Sequence, residues 1–324
     1  MMQTGDKNKT RPCKEHTSMR ILIVGAGATG GYFGGRLLQA GQDVTFLVRP
    51  KRAAELASNG LVVRSPHGDF TLDNPPTVQA DGLSGTFDLI LLSCKAFDLE
   101  DAIASFARAA GPRTAIIPLL NGMRHLRTLD AVFGRERVLG GLCSLAVTLN
   151  EKREVVHLAP MQSLRFGERD GGMSERVGAI ADVFAGASCG AQPSETIIQD
   201  MWEKWAFLAT LAGVTCVMRA SIGQIVAAPG GRDFILALLD EIAGIATAAG
   251  YAPREEFLSG ASTMLTAKDS PLTASMFRDI EAGARIEADH IVGDLLTRAE
   301  AAKLPAPRLR TGHTHLKAYE NRRG

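Results

Sequence analysis

The segment Arg20-Ile21-Leu22-Ile23-Val24 runs directly into Gly25-Ala26-Gly27-Ala28-Thr29-Gly30. A short, almost unbroken apolar run is the pattern of a parallel strand buried on both faces. A G-x-G-x-x-G turn that follows such a strand and opens a helix is the fingerprint of a dinucleotide-binding βαβ unit. Gly25 permits the tight turn, Gly27 lets the backbone approach a pyrophosphate, and Gly30 lets helix and strand pack closely. Backbone N–H groups at the new helix N-terminus then face the phosphates. Gly25, Ala26, Gly27, Ala28, Thr29 and Gly30 are therefore expected to bind a cofactor.

The rest of the chain extends this unit. A helix is expected over Thr29 to Ala40 with Gly41 as its stop, a second strand over Asp43 to Val48, and a helix over Lys51 to Asn59. Strands follow at Leu61 to Arg64, Phe70 to Leu72 and Leu89 to Ser93, then a helix at Leu99 to Ala110 and strands at Thr114 to Leu119 and Val138 to Ala146. The alternation predicts an α/β fold with a mostly parallel, doubly wound sheet. Val155 to His157 and Ser163 to Gly167 read as additions to the sheet, and Ser174 to Ala187 as a helix. From Ile197 onward the pattern is helical almost throughout. The longest helix is expected to start at Ser270-Pro271, a cap residue followed by proline at the first helical position, and to run to Lys303. A chain of 324 residues exceeds what one core usually serves. The expected division is a Rossmann domain over 19–195 and an all-helical domain over 196–324. Met1 to Ser18 is polar, without an apolar h-region, and reads as a disordered extension rather than a secretory signal.

Bulk charge and cysteine usage narrow the function. The 36 Lys+Arg nearly cancel the 35 Asp+Glu, so a net charge of +1 gives no electrostatic reason for a nucleic-acid partner. No apolar run approaches the roughly 18–20 residues that span a bilayer. The five cysteines include no CxxC pair and suit free thiols in a reducing cytoplasm better than disulfides or zinc. No metal is expected: His313 and His315 read as surface residues and His157 as structural. The cofactor is decided at the end of the second strand. NAD-preferring folds place an Asp or Glu there for the ribose 2′-hydroxyl. Here the chain reads Leu47-Val48-Arg49-Pro50-Lys51-Arg52. Arg49, aided by Lys51 or Arg52, suits a 2′-phosphate, which points to NADP(H). A flavin would also suit the glycine turn, but Arg49 and the helical domain count against it.

Five motifs in this order carry a resemblance: MRILIVGAGATGGYFGGRL from Met19, SCKAFD from Ser93, LLNGM from Leu119, WEKWAFLATLAG from Trp202, and ASMFRDIEAGARIEADHIVGDLL from Ala274. Together, over Met19 to Leu316, the chain resembles the ketopantoate reductase family (2-dehydropantoate 2-reductase). The resemblance implies NADPH-dependent reduction of a 2-keto acid, ketopantoate becoming pantoate on the route to pantothenate. It implies an active site in a cleft between a Rossmann domain and a helical domain. It makes Lys204 the catalytic lysine and places Lys95 and Asn121 toward cofactor or substrate. Ser275 and Glu287 become substrate-contacting groups, Glu287 also touching the cofactor. Ketone reduction needs a proton for the developing alkoxide, and a lysine ammonium can polarise the carbonyl and supply it. Burial would lower the pKa of such a lysine, and Glu287 would push it back up. A homodimer is compatible with the apolar helical domain and is common in the family.

The chain departs from the family where asparagines are expected four and eight residues after the lysine. Leu208 and Ala212 stand there, and Leu272-Thr273-Ala274 precede Ser275 without the expected asparagine. Two amide donors on one helix face are thus replaced by apolar groups. A reductase of the same mechanism acting on a more apolar ketone or keto acid is therefore an alternative. A non-catalytic NADP(H)-binding redox sensor is another.

Overall fold

The computed structural model describes residues 19–323; the expected N-terminal extension lies outside the described residues. The strands are β1 (Ile21–Val24), β2 (Val44–Leu47), β3 (Leu61–Arg64), β4 (Phe70–Leu72), β5 (Thr77–Val78), β6 (Phe87–Leu92), β7 (Ala110–Pro118), β8 (Gly140–Leu149), β9 (Val155–Gly167) and β10 (Ala191–Pro193). They form two sheets. The first is five-stranded in the order β5-β2-β1-β6-β7, with every pairing parallel. Its centre is β1, where Ile21 sits opposite Val44 on one side and Leu89 on the other. The second sheet is mixed, in the order β10-β9-β3-β4 with β8 antiparallel to β9. The segments expected as separate strands at Val155 to His157 and Ser163 to Gly167 are the two ends of β9, which runs unbroken because β8 pairs along it.

Helices α1 (Ala28–Gln39), α2 (Pro50–Asn59), α3 (Leu99–Phe106), α4 (Arg124–Phe133) and α5 (Glu175–Ala185) accompany the sheets. Alternation along β1 divides its side chains between two cores. Ile21 and Ile23 face a core shared with Phe33 and Leu37 of α1 and with Val155 and Phe166 of the second sheet. Leu22 and Val24 face the opposite core, shared with Ile103 and Phe106 of α3 and Leu126 and Leu129 of α4. That second core continues without interruption into the C-terminal helices. Ser174 caps α5 by accepting from the Val177 backbone N–H, as its position before an apolar-periodic run suggests. The helix expected to end at Ala110 gives way after Phe106 to a short 3₁₀ turn, Ala107–Ala109, and β7 already begins at Ala110.

The C-terminal unit comprises α6 (Ile197–Met218), α7 (Ile222–Ala227), α8 (Gly231–Ala248), α9 (Glu255–Leu265), α10 (Ser275–Glu281), α11 (Asp294–Ala301) and α12 (Pro307–Arg323). The longest is α6, with 22 residues, and it is buried on nearly all sides. Such a helix is the hub of its unit, and it packs against α7, α8, α10, α12 and the β8 strand.

The single helix expected over Ser270 to Lys303 does not exist. Its N-terminal part is non-helical, and α10 stops at Glu281. Gly283 takes φ +64°, the Ala284 N–H donates to the Asp279 carbonyl (2.7 Å), and the Gly283 N–H donates to that of Ile280 (3.0 Å). This is a Schellman stop built around a left-handed glycine. Residues 284–287 are non-helical, and a π-turn at Asp289–Gly293 leads into α11. The tail of α12 secures the break, with the Tyr319 hydroxyl donating to the Ala284 carbonyl (2.8 Å) and Arg323 Nε to that of Gly283 (2.6 Å).

The glycine turn is one of the tightest points of the fold. A Cβ on Gly30 would overlap the Gly25 carbonyl oxygen and Ser93 Oγ, whereas one on Gly27 would meet nothing within 4 Å. Gly30→Ala is therefore expected to cost at least about 3 kcal/mol in urea unfolding. Gly27→Ala should leave the midpoint unchanged while weakening NADPH binding. Equal midpoints for the two variants would contradict this assignment.

Candidate active site

The turn Gly25 to Gly30 links β1 to α1 and is held from two sides. Gly25 adopts φ +93°, and Ser93, just past β6, donates its hydroxyl to the Val24 and Gly25 carbonyls (3.0 and 3.1 Å). On the other side Arg52 Nε donates to the Ala26 carbonyl (2.9 Å) and its Nη1 pairs with Glu55 (3.0 Å). No side chain caps α1, whose N-cap is Gly27, so its first N–H groups have no side-chain partner. The open space beside Gly27 is the room a pyrophosphate needs there. At the end of β2, Arg49 is 69% exposed and pairs with Asp98 (3.1 Å) and more distantly with Asp101 (3.8 Å). These residues fit a dinucleotide with a 2′-phosphate: a free helix N-terminus, a side-chain-free approach and an arginine at the second strand. Arg52 is tied to the turn through Nε, whereas Arg49 stands exposed at the end of β2.

Lys204 lies in the second turn of α6, half-buried, and its Nζ donates to Asn121 Oδ1 at 3.0 Å. Asn121 follows β7, in a loop that Gly122 turns with φ +75°. Burial pushes the Lys204 ammonium below the ordinary lysine value, while Cys143 and Glu287 act in the opposite direction. Cys143 sits in β8, the strand against which α6 leans, and burial raises its thiol pKa.

Glu287 reaches the site because α10 stops short. From the non-helical segment its Oε1 accepts from the Ala96 backbone N–H (2.8 Å), and its Oε2 lies 3.7 Å from Lys95 Nζ. Lys95 donates more closely to Asp279 of α10 (2.9 Å). Two groups expected to face ligands thus pair with each other across the two halves of the chain. Asp279 is a partner that sequence reasoning missed; it lies one turn after Ser275, which puts both on one helix face. Ser275 is exposed in the first turn of α10. Ser93, another missed residue, had its signal in place, since it ends β6 beside the glycine turn.

Leu208 follows Lys204 by one turn on the same face of α6. It is half-buried and, unlike its neighbour Phe207, joins neither hydrophobic core. Ala212, a turn further, is buried in the core. A cleft of about 670 Å³ is lined by Arg124, Arg285, Glu287, His290 and Lys317 among others, but not by Lys204, Asn121 or the glycine turn. Glu287 and Ala96, bonded to each other, stand where that cleft adjoins the chemistry-bearing groups.

A dinucleotide fold whose helical half presents a half-buried lysine to the sheet's strand ends defines a nicotinamide-dependent oxidoreductase. Residues 21–171 match the family described as Ketopantoate reductase PanE/ApbA, and residues 196–320 match its C-terminal counterpart. The chain belongs to the ketopantoate reductase family, NADP-dependent oxidoreductases acting on CH–OH groups. It is 36% identical over 302 residues to the uncharacterized oxidoreductase YkpB of Bacillus subtilis, covering 93% of this chain and 99% of that one. It is 25% identical over 312 residues to a 2-dehydropantoate 2-reductase of Nostoc, covering 94% and 96%. The crystal structure of a 2-dehydropantoate 2-reductase from Geobacter metallireducens superposes with a TM-score of 0.84 at 28% identity, covering 93% and 99%.

The depressed Lys204 pKa carries a sign for stability. Between that value and the ordinary 10.5, the unfolded chain binds the proton more tightly than the native one, so this group's contribution to stability rises as pH climbs through the window. Lys204→Met is expected to melt at or above the parent temperature at pH ~7, with the gap narrowing toward pH ~10. A loss of stability that is the same at every pH would contradict this account.

Proposed function

We propose that this protein uses NADPH to reduce a 2-keto acid to the 2-hydroxy acid, with Lys204 as the catalytic residue and 2-dehydropantoate as the substrate, giving pantoate. The observation that carries the reading is the 3.0 Å contact between Lys204 Nζ and Asn121 Oδ1. It holds an ammonium at the carboxyl ends of the parallel strands, where open α/β sheets bind their ligands. When bound, NADPH supplies the hydride. Lys204 then polarises the ketone oxygen, stabilises its growing negative charge and delivers the proton from Nζ. Burial lowers the pKa and so favours that delivery, with Cys143 and Glu287 acting in the opposite direction. Asn121 aims the ammonium, the Ser275 hydroxyl is available to a substrate carboxylate, and the Gly25 to Gly30 turn with Arg49 and Lys95 holds the nucleotide. A sensor that only binds NADP(H) has no use for a half-buried ammonium held at the strand ends.

Leu208 supports a second reading, in which the substrate is a more apolar 2-keto acid. An apolar side chain one turn from the ammonium offers no hydrogen bond to a substrate hydroxyl. The first reading places the reaction on the route to pantothenate, in the cytoplasm. Free thiols at Cys94, Cys143, Cys189 and Cys216 are consistent with a reducing compartment. A homodimer is the assembly we propose, to be checked by light scattering.

Oxidation of NADPH with 2-dehydropantoate beside branched and aromatic 2-keto acids tests both readings. Turnover of 2-dehydropantoate, with rescue of a pantothenate-requiring strain, supports the first. Turnover confined to the apolar acids, shifted toward 2-dehydropantoate by Leu208→Asn, supports the second. In either case Lys204→Ala should lower kcat about 10²- to 10⁴-fold with NADPH affinity retained. Arg49→Ala should weaken NADPH and spare NADH; equal losses for both cofactors would remove Arg49 from the 2′-phosphate.

A further inference from the structure

Three segments far apart in the chain meet behind the Lys204–Asn121 contact. Trp205, next to Lys204, donates its indole N–H to the Ile291 carbonyl in the π-turn (2.8 Å). His290, next to Ile291, places Nε2 at 3.2 Å from Nδ1 of His125, the second residue of α4. The two imidazoles meet edge to edge, with centroids 5.5 Å apart and planes inclined by 22°. His125 follows the Asn121 loop directly, and within that loop a Cβ on Gly122 would lie 2.8 Å from the His290 carbonyl oxygen. The loop is therefore pressed backbone to backbone on the π-turn. Three hydrogen bonds close a triangle: α6 to the loop through Lys204–Asn121, α6 to the π-turn through Trp205–Ile291, and the π-turn to α4 through His290–His125. Two sides are buried, and the third is the contact that aims the ammonium.

We propose that the His125–His290 pair is a positioning device: it fixes the Asn121 loop against α6 and thereby sets where Lys204 Nζ is held. The pair is costly if its role is only structural. His125 is fully buried, yet its Nε2 has no hydrogen-bond partner among the described residues. A buried polar atom left unsatisfied is destabilising, whereas an apolar ring of similar size would not be. The pair also requires that the accepting ring be neutral, since a protonated imidazole has no free lone pair. Burial keeps both neutral: it pushes His125 well below its ordinary value, helped by His290, Lys204 and Arg169, and lowers His290 to about 4, with Arg124 assisting and Asp294 opposing. A π-turn, which holds one more residue per turn than an α-helix, is what brings His290 and Ile291 to these two partners.

The inference rests on the reductase reading for its kinetic consequence but not for its structural one, and the test separates them. His125→Phe and His290→Met remove the bond and keep volume; His290→Gln restores an acceptor where Nε2 lies. In a protein labelled with ¹⁵N-lysine, with the Lys204 signal assigned by its loss in Lys204→Arg, we expect the parent ammonium to titrate below the ordinary lysine range. In His125→Phe and His290→Met it should move back toward that range as the side chain escapes to solvent, and His290→Gln should behave as the parent does. With the substrate found, the two loss variants should lower kcat about ten- to a hundredfold with KM for NADPH unchanged, and should melt no lower than the parent. Turnover by the parent decides the reductase reading alone. An unchanged Lys204 titration in either folded loss variant overturns the positioning role, whatever the parent turns over. If one loss variant does not fold, the other and the glutamine variant decide.

Discussion

Helix α1 lies against two sheets at once, and its distance from each is set by glycine hydrogens rather than side chains. A Cβ on Gly34 would run into the Phe46 ring, one on Gly35 into the Phe70 ring, and one on Gly31 against Val155. The helix can therefore sink between the parallel sheet and the mixed one, and its N-terminus arrives at the end of β1 where the Gly25 turn waits. Because the mixed sheet covers that side, the other face of the parallel sheet is left for α3, α4 and the C-terminal helices. Ser93 and Lys95 after β6 and Asn121 after β7 then emerge together at the strand ends, beside the nucleotide turn. Every group of the site inherits its place from that close approach.

The second constraint is electrostatic. Lys204 is set into a helix that is otherwise buried on nearly all sides, where an ammonium loses much of its hydration. Asn121 Oδ1 replaces part of that water, and Glu287 provides a compensating charge without taking the proton into a direct ion pair. Glu287 itself is tied by Ala96 and Lys95. The balance weakens the hold of this lysine on its proton while keeping a polar partner at Nζ, a combination that a surface lysine lacks.

What the sequence made legible was local. The first strand, the glycine turn and the paired strands at Leu61 and Phe70 follow from period and turn chemistry. That β3 lies beside β9, some ninety residues later, does not, because strand periodicity says nothing of its partner. The broken helix was misread because apolar spacing continues across the gap. Gly283 in the run Glu-Ala-Gly-Ala-Arg carried the stop signal, and the π-turn left no trace in composition. Lys204 was visible only through the family resemblance, since a lysine within an apolar helix is otherwise unremarked. His125 and His290, 165 residues apart, share no pattern at all; only the folded backbone brings them together.

The π-turn at Asp289–Gly293 also bears on how such a site can be gained or lost. Each residue in an α-helix turns the chain by about 100°, so removing one residue here would relax the turn to an ordinary helix and leave α11 packed as before. Everything upstream would rotate by that angle: Ile291 would leave Trp205, His290 would leave His125, and Glu287 would leave Ala96. A three-nucleotide deletion would thus keep α11 in place and dismantle the alignment around the lysine. The reverse event, a single inserted codon, is a short evolutionary route by which a plain helix end could acquire it.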